Sequence, residues 1–261
     1  MPATQEAFNP KGRKITFVED EHSYIDYRGM QYISSSKFRE GFFPSFNAEE
    51  VSKRKSQNTG IPAEVLRMEW TAKGEAGCTL GTWGHENLED LMLGKPPRNV
   101  ATNKQQEILL KACYRAVEAL KKAYTLVSVE TIIFSEDALI ALTIDLIMKD
   151  EATDTIYLLD YKTNSSIPDT SWNGIETGFE PISHLPHSKF HNYALQMSLT
   201  EALMIKEGYV PRGQKFKRAL IHFPHFEEKP VFIPTPDYRA ECLEMIIYYM
   251  ARGMNFDDIP F

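Results

Sequence analysis

Three side chains in one short stretch carry the clearest chemistry in this sequence. The runs Ile144-Asp145-Leu146-Ile147-Met148-Lys149 and Ile156-Tyr157-Leu158-Leu159-Asp160-Tyr161-Lys162 flank a polar turn from Asp150 to Asp154, the pattern of a β-hairpin. A turn centred near residue 152 or 153 sets Asp145 opposite Asp160, because paired positions of an antiparallel hairpin have a constant sum. Alternation puts Lys162 on the face of Asp160 and turns Ile144, Leu146, Met148, Leu159 and Tyr161 to the other face, where they supply core. Opposed carboxylates destabilise a sheet unless positive charge lies between them. A hard divalent cation meets that need: Mg²⁺ takes oxygen ligands and keeps several waters, so Asp145, Asp160, the Tyr161 backbone carbonyl and a phosphate oxygen make an adequate set. Lys162 would then orient, or help deprotonate, a water attacking phosphorus. The competing reading is an exposed hairpin face whose lysine only neutralises its neighbours.

Further polar residues extend the set. His85 and Glu89, at i and i+4, share one face of a helix opening after a glycine turn at Gly81, and such a pair can reach a metal on an adjacent sheet. Tyr193 and Gln196 sit on a helix whose core stripe is Leu195, Leu199, Leu203 and Met204, so Gln196 borders apolar packing and needs a partner.

The elements that must position these residues are legible from periodicity. Residues 15–33 alternate apolar and polar around short turns, a small β-meander. Ser34-Ser35-Ser36 caps a short helix that Gly41 and Pro44 end. Residues 47–57, 62–80 and 82–93 read as helical, with a glycine-punctuated turn at Gly77 and Gly81 separating the last two. A stripe from Ile108 to Leu120 predicts a helix over 103–124. Strands follow over 126–134, 138–149 and 155–162, then a long irregular loop over 164–188 that could serve as a lid. A helix over 189–207, strands near 216–223 and 229–233 and a helix over 237–252 complete an α+β fold: a mixed central β-sheet flanked by α-helices, with a helical N-terminal half and an N-terminal β-hairpin. One domain is expected across 1–261, its meander and helical part over 1–125 and its sheet core with flanking helices over 126–261.

Composition restricts the setting. The 261 residues are 43% hydrophobic and 25% charged, which excludes a disordered chain. No apolar run approaches the ~18 residues of a membrane span, and the N-terminal residues lack a secretory pattern, so a cytoplasmic protein without a membrane partner is expected. Cys78, Cys113 and Cys242 are too few and too far apart for a disulfide framework, a zinc site or an iron–sulfur cluster, and are expected to be buried thiols. Lys and Arg number 29 against 36 Asp and Glu, a net charge of -7 that by itself argues against nucleic acid. Distribution qualifies the sum. Lys53-Arg54-Lys55 and the group Arg212, Lys215, Lys217 and Arg218 are basic concentrations, while acid gathers at Glu19-Asp20-Glu21 and Asp257-Asp258.

Taken in order, these elements resemble the RecB-type branch of the PD-(D/E)XK nucleases. Gly81, His85 and Glu89 are similar to its helical Gly-x-x-x-His-x-x-x-Glu element, Asp145 to its first sheet acid, Asp160 and Lys162 to its acid-x-Lys element, and Gln196 to its late glutamine. His22-Ser23-Tyr24 and Phe42-Phe43-Pro44-Ser45-Phe46 resemble the opening region of viral and mitochondrial-type exonucleases of this branch. Leu142 and Thr200 depart from the family pattern, which often has glycine and tyrosine there. The resemblance implies a restriction-endonuclease-like core, His85, Asp145 and Asp160 as metal ligands, Lys162 as catalytic lysine, and Glu89 and Gln196 as assistants to metal, water or DNA. It implies a Mg²⁺-dependent exonuclease at DNA ends, with Mn²⁺ able to substitute, in viral or bacterial recombination or repair in a bacterial or virus-infected cell. A single-strand-annealing or single-strand-binding protein is the partner expected by analogy. The lysine and arginine groups are candidate phosphate contacts, and Trp70, Trp83 or Trp172 could stack on an unpaired base. The alternatives are a single-strand or flap-specific nuclease using the same site, and a catalytically silent DNA-binding subunit.

Overall fold

A computed structural model describes residues 4–19 and 21–253; Asp20, Asp257 and Asp258 lie outside the described residues, as do the first three of the N-terminal residues read for a secretory signal. Four short strands open the chain: β1 (Thr4–Phe8), β2 (Lys14–Val18), β3 (Ser23–Asp26) and β4 (Gln31–Ser34). They form an antiparallel meander, one strand longer than periodicity predicts. Next come the helices α1 (Ser35–Glu40), capped by Ser34 as predicted, α2 (Ala48–Thr59), α3 (Ala63–Met92) and α4 (Lys104–Ala123). The second half holds β5 (Thr125–Ser135), β6 (Ile140–Asp150), β7 (Thr155–Lys162), α5 (Lys189–Glu207), β8 (Lys215–His222), β9 (Val231–Pro234) and α6 (Arg239–Ala251). The result is the expected mixed sheet between helices, with strand order β1-β2-β3-β4-β6-β7-β8-β9 and β5 paired to β6.

The sheet forks at one point. β5 pairs with β6 along nearly its whole length. On the opposite edge of β6, β4 pairs in parallel at Ile140 and Ala141, whereas β7 pairs antiparallel from Leu146 to Asp150. Residues 142–145 lie between these two partners, and Asp145 ends that interval beside the rung Leu146–Leu159. This is the register predicted for the hairpin.

Alternation is broken there, which corrects the expected grouping of core residues. Leu146, Met148, Leu159 and Tyr161 pack under α3 and α4, but Ile144 joins Ile147 and Leu158 in the core beneath α5 and α6. The face opposite α5 is covered at its other end by the meander, through Ile15, Tyr24 and Tyr32.

The predicted turn at Gly77 and Gly81 is absent. α3 is one helix of 30 residues, about 45 Å long. Its last glycines serve close approach: a Cβ on Gly84 would stand 3.2 Å from Leu109 Cδ2, and one on Gly81 would stand 3.4 Å from Thr163 Oγ1. Each helical glycine costs about 1 kcal/mol relative to alanine, and packing against α4 and the end of β7 offsets that cost at Gly81 and Gly84. The long loop over 164–188 is anchored, with Ile182 and Leu185 buried in the core beneath α5. Cys113 and Cys242 are buried as expected, whereas Cys78 is exposed on α3. Among the described residues no helix is long and apolar enough to cross a membrane.

Candidate metal and phosphate site

The fork collects side chains from four elements. His85 arrives from α3, brought close by Gly81 and Gly84. Its Nδ1 stands 3.5 Å from Asp145 Oδ2, and its Nε2 donates to the Tyr161 carbonyl at 3.1 Å. That carbonyl, expected to face a cation, is thus already engaged. Asp145 Oδ2 also accepts the Tyr161 backbone N–H at 2.7 Å, taking over from the strand ladder where β6 and β7 part.

The third converging group is Glu130, which sequence reading missed. Donor atoms of His85, Glu130 and Asp145 all lie within 4.8 Å of one another. Glu130 sits on β5 between the rungs Val129–Leu146 and Thr131–Ile144, opposite Asp145, with a φ of 44°. Left-handed backbone is uncommon for a residue other than glycine and concentrates at functional sites. Burial, and then the charges of Asp145, Glu89 and Asp160, push the Glu130 carboxyl up to about 9. Asp145 is likewise raised, mainly by burial, with Asp160 adding to the effect while His85 and Lys162 oppose it. Burial is the larger cause of both shifts, and the facing carboxylates add to it.

Asp160 belongs to the other side of the fork. It is buried and faces α5, where Gln196 Nε2 donates to Oδ1 at 3.0 Å and the Lys162 ammonium pairs with Oδ2. It is not among the three converging groups, which are His85, Glu130 and Asp145, and its charge acts on Glu130 and Asp145 from the other side of the fork. Lys162 is held above its usual range: burial alone would lower it, but Asp160 and Asp145 outweigh burial. Its ammonium lies 4.5 Å from the centroid of Tyr193, whose hydroxyl donates to Asn164 Oδ1.

Gln196 finds the partner its position demands, and a second residue missed in the sequence stands behind it. Buried Arg39, from α1, donates through Nη1 to the Asn192 carbonyl at 2.7 Å and through Nη2 to Gln196 Oε1 at 3.4 Å. That contact orients the amide so that its nitrogen faces Asp160. Glu89 shares the helix face of His85, but Arg98 Nη2 holds it at 2.6 Å, and it does not join the converging group.

The basic groups divide. The Arg218 side chain is largely buried and paired with Glu201 and Asp237. Lys215 pairs with Thr155 and Lys162 with His222 along the parallel strands β7 and β8, which sets Lys215 roughly 23 Å from Lys162 at ~3.3 Å per residue. Lys217, opposite Tyr157, lies over that ring, and Arg212 precedes β8 at the same far end. Arg212 and Lys215 therefore stand away from the fork. On α2, Lys53 pairs with Glu49, whereas Arg54 lies over Trp172 and Lys55 over Trp70. Trp83 is a core residue.

No protein-family model matches the chain, and no curated protein matches it significantly. Among solved structures, it is similar to a crystal structure from Eubacterium rectale described as "Putative exonuclease", at 15% identity and a TM-score of 0.41. The match covers 69% of this chain and 66% of that one, just under two thirds of its length.

Proposed function

We propose that this protein is a divalent-metal-dependent deoxyribonuclease of the RecB-type PD-(D/E)XK kind, hydrolysing phosphodiester bonds at DNA ends. The observation that carries the reading is the convergence of His85, Glu130 and Asp145 at the fork, beside the Asp160–Lys162 pair. The donor set fits the cation this chemistry needs. Two carboxylates and one imidazole, with no thiolate, suit Mg²⁺ or Mn²⁺. A cation bound there supplies Lewis-acid stabilisation of phosphoryl oxygens and lowers the pKa of water.

The chain's own groups do the rest. Lys162 keeps its proton at Nζ, because Asp160 and Asp145 favour the charged form, so it orients the scissile phosphate and stabilises its developing charge instead of abstracting a proton. Gln196, oriented by Arg39, fixes Asp160, and Asp160 fixes Lys162. Glu89 acts at a distance through its charge. Recombination or repair in a bacterial or virus-infected cell, with a single-strand-annealing or single-strand-binding protein nearby, is the setting proposed by the family resemblance.

End-labelled linear DNA and covalently closed circular DNA, incubated with Mg²⁺ or with EDTA, test the reading. Mononucleotides should appear from linear DNA only, and only with Mg²⁺. Cleavage of closed circles would overturn end-dependence, and Asp160→Ala and Lys162→Ala proteins as fast as the parent would overturn the site.

A further inference from the structure

From Thr71 to Thr79 every residue of α3 is exposed, so over about two and a half turns no described residue covers any face of the helix. The start of α3 therefore stands off from the sheet, with α2 tied to it through Arg67 Nη1 and Ser52 Oγ at 2.9 Å. Aromatic rings from other segments lie against the basic residues of α2. The Arg54 guanidinium lies 5.4 Å from the Trp172 ring centroid and the Lys55 ammonium 5.6 Å from that of Trp70, while Phe46, 61% exposed, packs against Trp70 at 5.9 Å.

Trp172 is 56% exposed, yet it is held in place. Its Nε1 donates to Glu176 Oε2 at 3.1 Å, the same oxygen lies 2.8 Å from His187 Nδ1, and the His187 ring stacks on buried Phe43 at 4.7 Å. The Asn173 side chain accepts the backbone N–H groups of Ile175 and Glu176, which fixes the turn between them. An indole left in water gains little from burial, so this chain of contacts to the core is not explained by hydrophobic stabilisation. It makes an anchored aromatic surface with a cation beside it. Paired bases already have their faces covered, whereas an unpaired base offers a face to the ring and a phosphate to the cation.

We infer that Trp172 and Arg54 form a stacking site for an unpaired base of a DNA strand, with Trp70 and Lys55 as a second station on the same strand. The inference deepens the nuclease reading and rests on it for the identity of the polymer; Trp172 lies in the segment that follows Lys162 out of the fork.

Binding of a fluorescein-labelled oligothymidine and of a blunt hairpin duplex, followed by anisotropy in EDTA, tests it in the full chain. Trp172→Ala should weaken oligothymidine binding at least about fivefold, the factor equivalent to ~1 kcal/mol of base stacking. Trp172→Phe should restore most of the affinity, and the duplex should respond much less. Equal affinity of parent and Trp172→Ala for oligothymidine, or equal losses on both ligands, would overturn the inference. Hydrolysis of thymidine 5′-p-nitrophenyl phosphate by the parent with Mn²⁺ reports on the metal site alone, since that substrate has no neighbouring base. Its absence would sink the nuclease reading and leave the binding result to stand or fall separately.

Discussion

Three acids within one neighbourhood carry unequal weight. Glu130→Gln and Asp145→Asn each remove a converging donor and should reduce Mg²⁺-dependent DNA hydrolysis by about a hundredfold or more. Glu89→Gln should cost about tenfold at most, because Arg98 holds that carboxylate outside the group. Initial rates on end-labelled linear DNA check the ranking, and an equal loss for all three would refute it. Asp145, Asp160 and Lys162 were legible in the sequence because one hairpin fixes their register within a few residues of a turn. Glu130 was not. It lies on a different strand, carries no motif, and reaches the site through a left-handed backbone that no periodicity announces. Arg39 was hidden for a similar reason, since its role exists only once α1 packs against α5.

Helices and strands show where local signals mislead. Glycine spacing around residues 77–84 reads equally as a turn or as a close approach, and only the neighbours decide. Gly77 has open space around it in a helix, so Gly77→Ala should stabilise the protein by about 0.5–1 kcal/mol. Gly84 faces Leu109, so Gly84→Val should destabilise it by about 1–3 kcal/mol and draw His85 away from Asp145. Chemical denaturation of both variants separates a continuous α3 from a turn, in which Gly77→Ala would not be the stabilising change. Helix α5 was predicted to the residue because its core stripe lies between a serine cap and a left-handed glycine, Ser188 and Gly208. In the basic cluster at 212–218 the sequence shows the charges but not their pairing. Charge is visible in a sequence, but the partners of Arg218, Glu201 and Asp237, lie on other segments.

For the molecule as a whole, the net charge of -7 is a poor guide to its partner, because part of the acidity is concentrated at the fork where a cation is proposed. Global stability draws on a different acid. Buried Glu207 ends α5 and meets Lys11, Lys206 and Ser135, and these hydrogen bonds hold its carboxyl below the usual range although burial opposes them. A lowered folded-state value means that its contribution is present above the usual ~4.5 and is lost as pH falls through the folded value. Glu207→Gln should therefore be less stable than the parent by about 3 kcal/mol near pH 7, and the gap should narrow in melting curves as pH falls below the usual carboxylate range.

All of the expected losses of hydrolysis depend on a divalent cation binding at the fork. Titration of Mn²⁺ into the parent, Glu130→Gln and Asp145→Asn proteins, with free ion read by electron paramagnetic resonance, tests it most directly. The parent should bind Mn²⁺ saturably and each variant at least about tenfold more weakly. Indistinguishable Mn²⁺ affinities in all three proteins would contradict it.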